Sequence, residues 1–428
     1  MPETIHSFDR SLAEFRRALA VIPAGSQTNS KRPGRFAFGR YPIYASHGRG
    51  GHIWDIDGNE YVDFVMALGP ITLGYCYPAV DEAIKVQLGR GIIYSLLAEV
   101  EVAAAEAVVA AVPCAEQVRF LKSGGEATSA AARIARAYTG REKVANCGYR
   151  GWHDQWMISG NEEGVPHALR AHTLPFEFNN LSSLETALDS NRGAVAAVIL
   201  DPARRDVPAP GFLEGVRELA RAHGALLIFD EVVTGFRVAL GGAQEYFGVT
   251  PDLACFAKGV ANGMPLAAVC GSRAVMQAAE RLTVTTTYGG EALSLAAAVA
   301  TINEYRTEKV FAHVWRLGER LMRGLNDAAR SAGVAFRCFG LAPMSAMKFD
   351  SAAPDAEALS WSYFLQETAR RGVLFRRGGL NFVAFTHTEQ DIDTSTAIVR
   401  EVLGGLRRHL DAGSLRRAVP DEREVQRL

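Results

Sequence analysis

Two uninterrupted apolar runs, each followed at once by a charged side chain, constrain this chain more than any other feature. The first run, residues 225–229, ends at Asp230, and the second, residues 253–257, ends at Lys258. Short continuous apolar runs of this kind indicate strands buried on both faces of a parallel sheet. Because open α/β sheets bind ligands at the carboxyl ends of their strands, the acid and the amine are predicted to face one crevice.

A lysine held against an apolar wall suits nucleophilic chemistry. Loss of hydration lowers the pKa of the amine, so its neutral form becomes accessible. A neutral lysine amine can form a Schiff base with a carbonyl compound. A salt-bridged pair of Asp230 and Lys258 at a sheet edge is the structural alternative, and the spacing in the sequence leaves both open.

The sequence around these two residues resembles a known family. The segments DEVVTGFR (residues 230–237) and PDLACFAKGVANGMP (residues 251–265) are similar to those of class III aminotransferases of pyridoxal phosphate (PLP) fold type I. Within that family the resemblance is nearest to the glutamate-1-semialdehyde aminomutase branch, and it covers most of the chain. It implies that Lys258 forms the Schiff base with PLP, that Asp230 pairs with the pyridine nitrogen and keeps it protonated, and that Val232 packs on the ring.

A glycine-rich turn ahead of an alanine-rich helix is a predicted anion site. Ser123, Gly124 and Gly125 follow a predicted strand, residues 118–122, and open the predicted helix. Glycines let a ligand approach the backbone closely, and a helix N-terminus directs N–H groups and positive dipole at an anion. In the family this position is the phosphate cup, which implies that the three residues hold the phosphate of PLP. The family commonly has Thr where Gly125 stands, so one hydroxyl contact is absent.

Two further segments resemble cofactor contacts. CGYRGWHDQ (residues 147–155) is similar to the family segment whose aromatic residue stacks on the PLP ring, which implies that role for Tyr149. Arg150 stands where the family usually has His, and it adds a fixed positive charge near the cofactor or substrate. Thr287 resembles the threonine that reaches the phosphate of PLP in the partner subunit. That resemblance implies a homodimer with active sites at the subunit interface.

Other departures from the family concentrate around the predicted substrate. Cys76 stands between two tyrosines where relatives usually carry His, Asn or another polar residue. Its thiol is either a small packed side chain or a second catalytic acid/base opposite Lys258. An Asp-Pro pair at residues 201–202 replaces the usual Glu-Pro, and the following Arg204 and Arg205 indicate a remodelled pocket wall.

Length and resemblance together predict the domain organisation. A chain of 428 residues exceeds one ordinary hydrophobic core, so two or more domains are expected. By resemblance the fold class is α/β, an aspartate-aminotransferase-like PLP fold type I. Its PLP-binding large domain, with a mostly parallel sheet, is predicted over residues 66–324. An N-terminal helix and small-domain segment, residues 1–65, and residues 325–428 supply the smaller α+β domain.

Charge and cysteine content argue against several function classes. A formal net charge of −1 offers no basic footprint for nucleic acid or an anionic membrane. No apolar run approaches the roughly 20 residues of a membrane span. The six cysteines lack CxxC pairs and metal-ligand spacing, which favours reduced thiols in a cytoplasm and no metal site. Residues 1–22 mix acids with bases, which indicates an amphipathic helix and not a signal peptide.

Two enzyme classes share the predicted cofactor residues. In an aminotransferase, an amino group moves to or from an aldehyde or ketone of a small polar metabolite, and Lys258 serves as acid and base in both half-reactions. The segments at residues 148–154 and 230–253 resemble family members that act on amino sugars and aminoglycoside-type compounds. The alternative is an isomerase, either an epimerase or an aminomutase, in which Lys258 and Cys76 act from opposite faces of a planar intermediate. A protein that only binds PLP is disfavoured by the intact lysine.

Overall fold

The computed structural model describes residues 7–157, 163–350 and 354–419, so the first six residues of the predicted N-terminal helix lie outside the described residues. The chain divides into two compact units, each described by itself below. The two-sheet unit comprises Met1–Gly69, Leu73–Tyr77 and Ala312–Leu428. The large-sheet unit comprises Pro70–Thr72 and Pro78–Phe311. The predicted domain limits, after residues 65 and 324, stay a prediction.

Strands and α-helices alternate over residues 173–256, whereas in several other places elements of one type follow one another. In order, the strands are β1 Ala45–Arg49, β2 His52–Asp55, β3 Glu60–Asp63, β4 Gln117–Leu121, β5 Lys143–Cys147, β6 Thr173–Pro175, β7 Val195–Leu200, β8 Leu226–Asp230, β9 Leu253–Phe256, β10 Ala267–Gly271, β11 Phe336–Phe339, β12 Met344–Phe349, β13 Val373–Leu374 and β14 Leu380–Phe382. The α-helices are α1 Asp9–Leu19, α2 Pro78–Leu88, α3 Glu99–Ala111, α4 Gly124–Thr139, α5 Leu181–Asp189, α6 Phe212–Ala222, α7 Ala243–Phe247, α8 Arg273–Met276, α9 Ala292–Thr307, α10 Val310–Ala332, α11 Pro354–Ala369, α12 Glu389–Asp411 and α13 Leu415–Ala418. Short 3₁₀ turns cover Pro23–Gly25, Asn29–Lys31, Pro33–Arg35, Met66–Leu68, Asp154–Trp156, His167–His172, Lys258–Ala261 and Gln277–Arg281.

One mostly parallel sheet forms the centre of the large-sheet unit. Its strand order is β4-β10-β9-β8-β7-β5-β6. The pairs from β9 to β6 are parallel, whereas β10 runs antiparallel to both of its neighbours. Every residue of β7 and β9 is buried, because helices cover both faces of a parallel sheet and leave no polar side. The apolar runs before Asp230 and Lys258 are therefore neighbouring parallel strands, as predicted.

Helix α4 packs on this sheet through its small side chains. Its buried alanines at 127, 130, 131, 132 and 135 share a core cluster with residues of β7, β8, β9 and β10. Alanine allows close approach between a helix and a sheet while keeping a high helix propensity. The helix thereby brings its N-terminus to the carboxyl end of the strands.

The two-sheet unit contains a four-stranded and a three-stranded sheet. Strands β2 and β3 form an antiparallel hairpin whose turn contains Asp57 and Gly58, and β13 pairs parallel to β3. The second sheet, β11-β12-β14, is antiparallel. Aromatic and aliphatic side chains from both sheets, α10, α11 and α12 form one buried core. Among the described residues, no helix combines the length and the apolar character needed to cross a membrane.

Candidate active site

Asp230 and Lys258 follow adjacent parallel strands. Asp230 ends β8 and pairs in register with Cys255 of β9, three positions before Lys258 along the chain. At Lys258 the backbone turns sharply out of the strand, with a left-handed φ of 45°. A non-glycine residue in this region stores of the order of 1 kcal/mol or more of strain, and such strain concentrates at functional sites. Tyr305 steadies the turn, because its hydroxyl donates to the Gly259 carbonyl at 2.7 Å.

The environment of Lys258 favours the neutral amine. Burial lowers its pKa to about 8, and the positive charge of Arg204 acts in the same direction. The carboxylates of Asp230 and Asp201 oppose the shift without cancelling it. The sequence-based expectation of a lysine with a lowered pKa agrees with this arrangement. The alternative of a direct salt bridge does not, because Asp230 is paired with a different cation.

That cation is Arg150, which is completely buried between two carboxylates. One guanidinium nitrogen donates to Asp230, and the other donates to Asp201 at 2.6 Å and to the carbonyl of Cys147. The Nε atom donates to Asn146 at 3.1 Å. Burial alone would lower the pKa of Arg150, but the two carboxylates outweigh it and raise the pKa. The prediction that this charge lies near the cofactor or substrate stays a prediction, and the structure pairs the charge with the two acids.

Asp230 keeps one oxygen directed away from Arg150. Its Oδ1 accepts the N–H of Val232 at 3.1 Å, while Oδ2 accepts from Arg150. Burial raises the pKa of Asp230, and the charge of Arg150 acts to lower it. An oxygen with remaining lone pairs, on an acid held by an arginine, is a suitable acceptor for a ring N–H.

The predicted phosphate cup is the N-terminus of α4. Ser123 is its N-cap, and its Oγ accepts the N–H of Glu126 at 3.3 Å. The Glu126 carboxylate in turn accepts the N–H groups of Lys122 and Ser123, at 2.9 and 2.7 Å. This capping box occupies the polar atoms of Ser123. The N–H groups of Gly124 and Gly125, in the first turn, have no intrahelical acceptor and suit an anion.

Two close approaches at the cup require glycine. A Cβ on Gly124 would lie 2.9 Å from both methyl groups of Val232, so the cup lies directly beside the residue that follows Asp230 and Glu231. A Cβ on Gly151, where φ is 117°, would lie 2.8 Å from the Cα of Gly125. The segment after β5 is therefore packed against the first turn of α4.

Tyr149 lies in that same segment and is 57% exposed, so its side chain is accessible to a ligand. The guanidinium of Arg204 is 5.8 Å from the centre of the ring. One region of the large-sheet unit thus contains Lys258, Asp230, Val232, Tyr149, Arg204 and the α4 N-terminus.

Cys76 and Thr287 occupy other positions. Cys76 belongs to the two-sheet unit and is exposed, with a left-handed φ of 50°. The expectation of a packed thiol is therefore wrong for this chain, because the surface turn directs the side chain outward. Thr287 is exposed and lines a cavity of the large-sheet unit together with residues 93–97.

The residues at the carboxyl ends of β8 and β9 fit pyridoxal phosphate. The partly buried amine of Lys258 suits an aldehyde, the Oδ1 of Asp230, which faces away from Arg150, suits a pyridinium N–H, and the glycine cradle of α4 suits a phosphate. Val232 and Tyr149 supply apolar and aromatic contacts for a flat ring.

Sequence reasoning did not find the partners of two arginines. Arg150 and Arg204 were recognised as departures, but the two acids that pair with Arg150 and the Tyr149 ring beside Arg204 lie 50 or more residues away in the chain. The role of Glu126 was also missed, although the S-x-x-E spacing of residues 123–126 is a capping-box signature.

Comparison with known proteins identifies the family. The profile described as Aminotransferase class-III matches residues 37–403. The 3-aminobutyryl-CoA aminotransferase of Cloacimonas acidaminovorans (strain Evry) is 35% identical, over 94% of this chain and 98% of that protein. The glutamate-1-semialdehyde 2,1-aminomutase of Syntrophobacter fumaroxidans (strain DSM 10017 / MPOB) is 37% identical, over 90% and 95%.

A solved structure agrees in fold. The PLP internal aldimine form of the FumI protein of Sphingopyxis sp. MTA144 superposes with a TM-score of 0.89 at 28% identity, covering 94% of this chain and 98% of that chain. The predicted fold class, family and cofactor are confirmed. A family profile over most of the sequence and relatives above 30% identity over nearly its full length show that the chain belongs to the class III aminotransferases, enzymes that use pyridoxal phosphate.

Proposed function

We propose that this enzyme transfers an amino group between PLP and an aldehyde or ketone group of a small polar metabolite. The observation that carries the proposal is Lys258, a partly buried amine with a pKa lowered to about 8 at the end of β9, next to the Asp230 strand. When bound, PLP supplies an aldehyde that condenses with amines and a protonated ring that withdraws electrons.

The residues of the chain then divide the work. Lys258 Nζ would act as the general base that takes the proton from the amine-bearing carbon of the substrate, and as the general acid that returns it. Asp230 would hold a proton at the pyridine nitrogen, and Arg150 acts to lower the pKa of that acid and fixes its position. The α4 N-terminus holds the phosphate through backbone N–H groups, which anchors the ring for every step.

The active enzyme is proposed to be a homodimer. Ile92, Ile93, Tyr94, Leu96 and Leu97 are all at least 42% exposed, and Leu97 reaches 89%. An apolar patch of this kind is rare on a monomer and marks an interface. Thr287 lines a cavity with this segment, so a second copy that covers the patch would also meet the threonine predicted to reach its phosphate.

For the substrate, an amino sugar or an aminoglycoside-type intermediate is the candidate from the sequence resemblance. An isomerase is the alternative function. It is supported by the likeness to glutamate-1-semialdehyde 2,1-aminomutases and by the thiol of Cys76, which is exposed.

Addition of amines to the PLP-loaded enzyme, with no keto acid present, tests the proposal. An aminotransferase is expected to convert its cofactor stoichiometrically to pyridoxamine phosphate. An isomerase would leave the cofactor unchanged while the substrate exchanges its α-hydrogen with deuterated water, and that result would overturn the proposal. In parallel, Cys76→Ser is expected to leave the half-reaction rate unchanged. A large loss of hydrogen exchange in that variant would favour the two-base isomerase.

A further inference from the structure

The loop after β7 presents arginines beside the site. Asp201 and residues 204–206 line a cavity of about 180 Å³ together with Cys147, Gly148 and Phe178. Arg204 is the most accessible cation in this wall that also contacts a residue of the site, since its side chain is 44% exposed. A guanidinium in this position can offer several N–H donors to one ligand.

Asp201, the carboxylate nearest to Arg204, is already committed elsewhere. Its Oδ2 accepts a hydrogen bond from Arg150 at 2.6 Å, whereas the distance to Arg204 is 4.0 Å. At 4.0 Å the two groups form an ion pair, but the distance is too long for a hydrogen bond. Asp201 therefore holds Arg204 in place electrostatically and leaves its donors available.

The orientation of Arg204 points to the reacting end of the site. Its guanidinium carbon lies 5.8 Å from the centre of the Tyr149 ring. After burial, its charge is also the largest cause that lowers the pKa of Lys258. A group bound by Arg204 would therefore lie close to both the aromatic ring and the amine.

We propose that Arg204 binds an anionic group, a carboxylate or a phosphate, on the amine substrate. The proposal rests on the proposed function, because it takes Lys258 as the reacting amine. It restricts the substrate class to amines that carry negative charge, and an amino sugar would qualify only with an acidic or phosphorylated substituent. Bidentate pairing of guanidinium with either anion also fixes orientation, which neutral contacts would not provide.

Three matched amines test the proposal: 3-aminobutyrate, its neutral analogue 3-aminobutanamide, and 2-aminopropyl phosphate. The half-reaction of each is followed by absorbance with the wild type and with Arg204→Gln, Arg204→Lys and Arg217→Gln. Arg217 is an exposed arginine on α6 and controls for net charge. Loss of a charge-assisted hydrogen bond is expected to raise KM for the preferred anionic amine about tenfold or more in Arg204→Gln. In the same variant, KM for 3-aminobutanamide should change by less than about twofold, since its carboxamide carries no negative charge for Arg204 to bind. Arg204→Lys should recover part of the loss, and Arg217→Gln should match the wild type.

A second readout does not depend on turnover. Binding of succinate and of inorganic phosphate to the PLP-loaded protein is measured by calorimetry, and Arg204→Gln is expected to abolish binding of the preferred anion. The proposal would be overturned if Arg204→Gln changed KM equally for the amide and for the anionic amines. It would also be overturned if the wild type neither preferred an anionic amine nor bound either anion. Failure of the proposed function is distinguishable, because a protein that takes up no PLP shows this in its absorbance spectrum before any amine is added.

Discussion

Replacement of Arg150 by Met tests whether one buried arginine holds the acids of the site. Arg150 has no exposed side-chain surface, and it bridges Asp201 and Asp230, whose side chains are 11% and 6% exposed. The hydrogen bonds to Asn146 and to the Cys147 carbonyl are lost as well. Methionine fills much of the volume, so the change is mainly one of charge and hydrogen bonding.

The expected cost follows from the two carboxylates left behind. Removal of one partner of a buried ion pair typically costs about 3–5 kcal/mol. Protonation limits the penalty, because neutralising one carboxylate of ordinary pKa at pH 7 costs roughly 4 kcal/mol. We therefore expect the free energy of unfolding of the cofactor-free protein to fall by about 3–5 kcal/mol at pH 7, measured by urea unfolding.

The pH dependence of the deficit gives a second check. Arg150 acts to lower the pKa of Asp230, so the pKa of that acid rises in the variant. Between the ordinary carboxyl pKa and the raised value, the folded variant binds a proton that the unfolded chain does not. Stability of the variant relative to wild type should therefore increase as the pH falls from 8 towards 5.

A matched control separates burial from charge. Arg192 also pairs with an aspartate, Asp189, but its side chain is 75% exposed, so Arg192→Met should leave the urea midpoint almost unchanged. The reasoning is wrong if Arg150→Met costs less than about 1 kcal/mol, or if its deficit is the same at pH 5 and pH 8.

Three further outcomes are expected. The rate at which apoprotein captures PLP should rise as the pH passes through about 8, where Lys258 loses its proton. Arg204→Gln should move this rise to higher pH, because it removes a charge that lowers the pKa of Lys258. Stopped-flow absorbance measures both effects. Gly151→Ala should weaken PLP binding, measured by equilibrium titration, because its Cβ would displace the first turn of α4. Gly140 also has a positive φ, but the space around its Cβ is open, so Gly140→Ala should cost only about 1–2 kcal/mol of stability. Leu97→Asp should shift the protein from dimer to monomer in sedimentation without loss of helical signal, and an unchanged dimer would contradict the proposed interface.

Local signals in the sequence predicted much of the scaffold. The two continuous apolar runs form β8 and β9. Their parallel pairing was predicted because polar residues do not alternate with apolar ones in either run. The strand predicted before Ser123 and the alanine-rich helix predicted after it likewise became β4 and α4. These features depend on neighbours in the chain, which a single sequence displays.

Contacts between distant residues could not be predicted. The pairing of Arg150 with Asp201 and Asp230 requires β5, β7 and β8 to place their ends side by side. The sequence showed an arginine in place of a histidine, but not that two acids would surround it. The exposure of Cys76 was missed for a related reason, because composition favours burial of cysteine while the local turn decides its direction.

Identification of the lysine that binds PLP tests the central claim most directly. The PLP-loaded protein is reduced with borohydride, digested and mapped by mass spectrometry, and Lys258→Ala is treated in the same way. We expect the reduced PLP adduct on the peptide that contains Lys258, and no adduct in the variant. An adduct on another lysine, such as Lys122 beside the α4 N-terminus, or an unchanged adduct in Lys258→Ala, would contradict the account.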